Sequence, residues 1–195
     1  MRGLARPNQF FDDRTKAPRS GATPALTQGG LEMSIAPQYT YRQLTIEDVN
    51  LLKELLRVFG HAFNDSETYQ HAIPSDEYLT NLLGNEHFIV VVAMMEKTVV
   101  GGLAAYVLEK FERQRREIYI YDLAVSDAHR RKGVASGTIN ALKKIAVAQG
   151  AYVIFVQADL EDGPAIAFYS SLGSMKPAHH FDIEVEVGTI KSEAG

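Results

Sequence analysis

The chain has 195 residues, 46% apolar and 23% charged, the make-up of one soluble globular domain with an ordinary core and a short tail. It has no cysteine, which excludes a disulfide framework, a thiolate metal site and a cysteine nucleophile, and suits a reducing cytoplasm. The net charge of −4 gives no support for nucleic-acid binding, no apolar run approaches a membrane span and no signal-peptide core stands at the N-terminus, so a cytoplasmic protein is expected.

Residues 1–36 read as a disordered tail, broken by Pro7, Pro18, Pro24, Gly21, Gly29 and Gly30, with Phe10-Phe11 the one apolar pair able to dock. The tail carries five Lys/Arg against three acids, which leaves the rest of the chain at −6. The domain, 37–190, opens with a strand from Tyr39 to Leu44. Thr45, with Asp48 three residues on, is an N-cap candidate for a helix in which Val49, Leu52, Leu55, Leu56 and Phe59 recur at helical spacing, with Gly60 stopping or interrupting it. Pro74-Ser75-Asp76 starts a short helix, Tyr78 to Leu83. Phe88–Met94 and Thr98–Leu108 are β-forming runs joined by a tight turn at Glu96-Lys97, and a further strand, Glu117 to Val125, follows a charged bend. Next come a helix from Gly133 to Gln149, a strand from Tyr152 to Gln157 and a helix from Ala165 to Leu172 opened by Gly163-Pro164. A last strand is expected from His180 to Val187. The fold class is α/β, a mixed and mostly antiparallel sheet flanked by helices.

The chemistry concentrates between Glu117 and Gly137. The run Ile118-Tyr119-Ile120-Tyr121 and Leu123-Ala124-Val125 is apolar on both faces, as a central strand should be. The turn Arg130-Arg131-Lys132-Gly133-Val134-Ala135 leads from it into a helix. Unpaired N–H groups and the positive end of the helix dipole suit a diphosphate there, Gly133 lets backbone approach it, and the short Ala135 leaves room.

Arg-x-x-Gly-x-Ala after Asp-Leu-Ala-Val resembles the coenzyme A-binding motif of the GCN5-related N-acetyltransferase (GNAT) superfamily. The resemblance implies acetyl-CoA as cofactor, held by Leu123, Ala124, Val125, Arg130, Arg131, Gly133, Val134 and Ala135. The stretch from Asp162 to Gly173 resembles the family's later motif, which adds Asp162, Ala165 and Tyr169 to the cofactor set and implies that Tyr169 protonates the departing thiolate. Two positions depart from it, Asp162 where Asn is usual and Ser174 where Phe is usual.

A closer resemblance, from about residue 39 to 187, is to the type I aminoglycoside (gentamicin) 3-N-acetyltransferases. It rests on Ser75-Asp76-x-Tyr78-Leu79, Gly102–Leu108, Glu117–Val125, Gly150–Ile154, Val156–Asp159 and His180–Ile183. It implies acetylation of the 3-amino group of an aminoglycoside, antibiotic resistance and a homodimer. A protein or peptide N-acetyltransferase and a non-catalytic acyl-CoA-binding module are the alternatives.

Acetyl transfer to an amine needs a proton acceptor, a donor to the thioester oxygen and a proton for the leaving sulfur. Asp122, a carboxylate inside an apolar strand, is the first candidate for the acceptor, with Tyr121 beside it on the substrate side. Glu117 is the runner-up. Strict alternation puts residues 117 and 122 on opposite faces, so they share a site only if the strand carries a bulge between them. Asp76, Asp159, Asp182 and Glu184 are expected to line an acidic cleft for a polycationic sugar. The six histidines lack the spacing and the cysteine of a metal site, and none is expected.

Overall fold

The structure is a computed structural model and describes residues 38–185. The expected 1–36 tail and the last two residues of the expected final strand lie outside that range.

Five strands form one sheet: β1 (Tyr39–Gln43), β2 (Phe88–Met95), β3 (Thr98–Glu109), β4 (Arg116–Val125) and β5 (Ala151–Val156), in spatial order β1-β2-β3-β4-β5. The first four pair antiparallel and β5 joins β4 in parallel, which requires the intervening helix as a crossover. The continuous apolar run of β2 is what a strand covered on both faces needs, and Phe88 to Ala93 are all buried.

One face of the sheet is covered by α1 (Val49–Ala62) and α2 (Asp76–Leu83), whose Leu52, Leu55, Phe59, Leu79 and Leu83 pack on Val90, Val92 and Ala124. The other carries α3 (Val134–Ala148), with Ile139, Leu142 and Ala146 against Val91, Leu103, Ile118, Ile120 and Leu123; Phe168 of α4 (Gly163–Ser170) joins this side. Helix α1 sits so close to β3 that a Cβ on Gly102 would lie 2.5 Å from the Val91 carbonyl and 2.7 Å from Leu55. Only glycine fits beneath it.

Local signals explain the helix starts. The Ser75 hydroxyl caps α2 at Tyr78 N, 3.3 Å, and Asp162 caps α4 at Ala165 N, 2.9 Å. At α1 the expected roles of Thr45 and Asp48 are reversed: the buried Asp48 is the N-cap position and its carboxylate accepts from Thr45 N and Oγ1. Gly60 does not stop α1, which continues to Ala62; the missing side chain leaves room for Gln70, whose atoms would lie 2.6 Å from a Cβ. Gln70 belongs to a π-helical turn, Glu67–His71, that has no counterpart in the sequence reading.

The final strand is a correction. His180 to Val185 forms no strand, and Phe181, Ile183 and Val185 are 80%, 88% and 84% exposed. Its alternation is that of a half-buried strand, but a strand needs a neighbour, and this segment does not lie on β5. Among the described residues the outer edge of β5 is therefore the edge of the sheet.

Candidate active site

The register of β3 against β4 shifts at one point: Ala104 faces Asp122 and Ala105 faces Ile120, so Tyr121 is an extra residue in β4. A bulge reverses the alternation beyond it. Ile118 and Ile120 face α3, and past the bulge so does Leu123. Ala124 instead joins the α1 cluster, so Asp122 comes to the face that carries Glu117 and Tyr119. The bulge required for Glu117 and Asp122 to share a face is present.

They do not share partners. At roughly 3.3 Å per residue they are about 15 Å apart along the strand. Glu117 accepts a hydrogen bond from the Tyr152 hydroxyl and lies 3.6 Å from Lys110 Nζ. Asp122 accepts one from the Tyr69 hydroxyl, 3.2 Å from Oδ1. Burial pushes the Asp122 carboxyl up to about 6, and the Tyr69 hydrogen bond acts in the opposite direction. Tyr69 is itself raised, first by burial and then by the carboxylate beside it. Among the described residues no Lys or Arg forms an ion pair with Asp122.

Aromatic rings continue from this carboxylate across three strands. Tyr106 meets Tyr121 edge-on at 5.9 Å, Tyr121 meets Tyr119 edge-on at 6.0 Å, and Tyr119 stacks on Phe155 at 5.0 Å. Tyr78 of α2 lies within electrostatic reach of Tyr106. Tyr69, Tyr78, Tyr106 and Tyr119 are the residues that sequence reasoning passed over. Tyr119 and Tyr121 carried a signal in the alternation of Tyr-Ile-Tyr-Asp. Tyr69 carried none, since it meets Asp122 from 53 positions away by way of the π-helical turn.

On the opposite face β5 ends at Val156, level with Ile120, and the backbone from Tyr121 to Val125 runs on without a β5 partner. Val125 packs on Val134 at the start of α3, with Ala135 partly buried against both. Helix α3 has no side-chain cap; its N-cap is Gly133 in the left-handed region, φ 80°, with no atom within 4 Å of where a Cβ would stand. Arg131 is also left-handed, φ 57°. Successive N–H groups in such a turn, above open space, form the concave donor set that a diphosphate requires, so these residues fit the phosphates of coenzyme A. Arg130 is drawn back from that space: its Nε donates to the Val125 carbonyl, 3.1 Å, and its Nη2 pairs with Asp127, 2.9 Å.

Asp162 is buried at the start of α4. One carboxylate oxygen caps Ala165 and the other, Oδ2, is buried without a hydrogen-bond partner. Burial raises its pKa, while the hydrogen bond from Ala165 N and, more weakly, the charge of Arg130 act against the rise. Ala165 is fully buried behind it, and Tyr169 is half-buried further along α4 at 5.2 Å from the Phe168 ring.

The four remaining acids are not gathered into one cleft. Asp76 is exposed and paired with Lys53, and Asp159 lies in the β5–α4 loop near Asp162. Asp182 and Glu184 are exposed on the terminal segment, Asp182 2.9 Å from His180 Nε2. An open cavity of ≈ 370 Å³ between Glu54, Arg57, His61, Thr98 and Asp127 includes none of the candidate residues. Among the described residues no group of three or more His, Asp or Glu side chains could hold a metal ion.

Residues 50–173, more than half of the chain, match the acetyltransferase (GNAT) family. The chain is a GNAT acetyltransferase. Its structure is similar to that of an aminoglycoside acetyltransferase from an uncultured soil metagenomic sample: 52% identity, TM-score 0.75, 76% of this chain and 99% of that one covered. A second such enzyme, also from an uncultured soil sample and solved in complex with sisomicin, is 32% identical with TM-score 0.71, covering 76% and 97%. The ribosomal-protein-alanine N-acetyltransferase of Brucella melitensis biovar Abortus 2308 shares the fold, at 19% identity and TM-score 0.60, covering 76% and 100%. Among curated proteins none matches. The mixed five-stranded sheet with its flanking helices is thus the GNAT fold. No described helix of this GNAT enzyme is long and apolar enough to cross a membrane.

Proposed function

We propose that this GNAT enzyme acetylates the 3-amino group of aminoglycoside antibiotics by direct transfer from acetyl-CoA, as a cytoplasmic, homodimeric resistance enzyme. The observation that carries the reading is Asp122: a mostly enclosed carboxyl, at a strand bulge, whose pKa of about 6 suits a base working near neutrality. The similarity to two aminoglycoside acetyltransferases, one with sisomicin bound, supports the substrate class.

Acetyl-CoA, when bound, supplies an activated acetyl thioester. Gly133, Val134, Ala135 and the left-handed Arg131 hold its diphosphate in this reading, with the strand end Leu123-Ala124-Val125 along its arm and Asp162 and Ala165 at the neighbouring helix start. Asp122 takes the proton that the attacking amine must lose, and Tyr69 keeps its carboxylate oriented. Backbone N–H beyond Ile120 donates to oxygen as negative charge develops. Tyr169 Oη provides the proton for the departing sulfur. The rings of Tyr106, Tyr119 and Tyr121 offer faces to a polycation.

The test is acetyl transfer by the purified full chain to gentamicin, kanamycin and a histone-like peptide side by side, with NMR of the product. Acetylation of gentamicin at the 3-amino nitrogen is expected. Acetylation of the peptide alone would move the enzyme to the peptide class, and acetyl-CoA binding with no transfer would make it a binding module.

A further inference from the structure

Strand β5 ends where the sheet opens. Its last pair with β4 is Val156 opposite Ile120, so Gln157, one step on, stands at the mouth of the gap, level with Tyr121. Ile154 and Val156 pack toward α3, which by period two gives Phe155 and Gln157 the face of Tyr119 and Asp122. A hydrogen bond fixes that placement: the Tyr119 hydroxyl donates to Gln157 Oε1, 2.9 Å, while the Tyr119 ring stacks on Phe155. Burial holds the Tyr119 hydroxyl above the ordinary phenol range, so it keeps the proton that it donates. A carboxamide has two ends, and one whose oxygen is taken by a hydroxyl presents its NH2 group outward, a donor without charge. Gln157 is exposed, and among the described residues its nitrogen has no hydrogen-bond partner. The acid and the ring faces around it attract cations of any kind; they do not tell an amino sugar from an alkyl polyamine.

We propose that Gln157 is a specificity-determining residue, its amide NH2 donating to an oxygen on the ring carbon next to the reacting amine, with Tyr119 as the positioning residue that orients it. In an aminoglycoside one neighbour of the carbon bearing the 3-amine carries a glycosidic oxygen, which accepts hydrogen bonds and cannot donate them. A neutral donor suits that oxygen and offers a further ammonium nothing to bind. Amines flanked by oxygen are thereby selected over alkyl amines, as in any site whose polar group is left unpaired by an analogue lacking the substrate's own. The spacing fits. Paired strands lie about 5 Å apart and one residue step adds about 3 Å, so the backbones at Gln157 and Asp122 stand about one sugar ring apart. The ring is then held on one side by Gln157 while its amine meets Asp122 on the other. This inference rests on the aminoglycoside reading of the same site and names the group that tells the substrate class apart.

Calorimetry on the full chain with gentamicin and with spermine, a polycation without oxygen, gives the deciding ratio of affinities. Gln157→Ala should cut the preference for gentamicin about tenfold, the worth of one hydrogen bond, with acetyl-CoA binding unchanged. Gln157→Glu keeps the length and the acceptor for Tyr119 but has no donor. Its charge strengthens both polycations, and the ratio should still fall as in Gln157→Ala. Tyr119→Phe keeps the ring and frees the amide to rotate, so the ratio should fall about threefold, with no further loss when it is added to Gln157→Ala. A ratio that stays at the parent's value in both Gln157 variants, while the parent acetylates gentamicin, overturns the proposal. Weaker acetyl-CoA binding with unchanged gentamicin affinity assigns Gln157 to the cofactor and overturns it too. Independent losses in the double variant make Tyr119 a separate ring contact and remove its positioning role. A parent that neither binds nor acetylates gentamicin removes the aminoglycoside reading, and this selection with it.

Discussion

Asp122 shows how one residue's environment sets two properties of opposite sign. Its carboxyl is raised from 3.8 to about 6 because burial penalises the charge. The folded chain therefore holds this proton to higher pH than the unfolded chain. The resulting stability is complete below about pH 4, is lost as pH rises through about 6, and above that the ionised group costs about 3 kcal/mol. Asp122→Asn should accordingly raise Tm at pH 8 and leave it nearly unchanged at pH 4, while lowering kcat/KM by roughly two to four powers of ten. Thermal unfolding at the two pH values and steady-state kinetics check the pair; full kcat in the variant would pass the role of base to Glu117. Tyr69→Phe removes the hydrogen bond that holds the carboxyl down. The acid limb of kcat/KM, expected near pH 6, should then move to higher pH by up to about one pH unit. A pH profile that stays in place would make Tyr69 a packing residue only.

At the scale of elements, two glycines test two different contacts. Gly133 is left-handed above open space, so Gly133→Ala meets no atom in the protein and costs about 1 kcal/mol in backbone strain. Calorimetry should nevertheless show acetyl-CoA binding weakened about tenfold, because the methyl group occupies the approach to the α3 N-terminus. Unchanged affinity would remove this loop from the cofactor site. Gly102 is the converse: its Cβ would collide with the Val91 carbonyl and Leu55, between β2 and α1. Gly102→Ala should lose about 1–3 kcal/mol in denaturant unfolding, with activity per folded molecule retained. Most of these elements were legible because their signals are local: the Ser75 cap, the unbroken apolar run of β2 and the Gly163-Pro164 helix start.

For the whole molecule, residues 37–195 carry −6 once the tail's positive charge is set aside. A negative field concentrates a polycation, and salt screens it over about 10 Å at 0.1 M. KM for gentamicin should therefore rise severalfold between ~20 mM and ~500 mM salt with kcat nearly constant, since screening cannot replace a base. A flat KM would show that close contacts, the tyrosine faces foremost, and not the field select the substrate.

By itself the sequence determined the order of the five strands and four α-helices, the glycine turn that opens α3 and the carboxylate in a buried strand. Those features are written in neighbouring residues: alternation, caps, and a glycine where backbone must be bare. The tertiary structure alone decided what Asp122 touches. The bulge at Tyr121, which turns Asp122 to the face of Glu117, exists only in the register of β4 against β3. Tyr69 reaches the carboxylate across 53 positions through a turn with no periodic signature. The same limit explains the last strand: alternation at Phe181, Ile183 and Val185 states that one face wants burial, while which surface supplies it is a property of assembled edges.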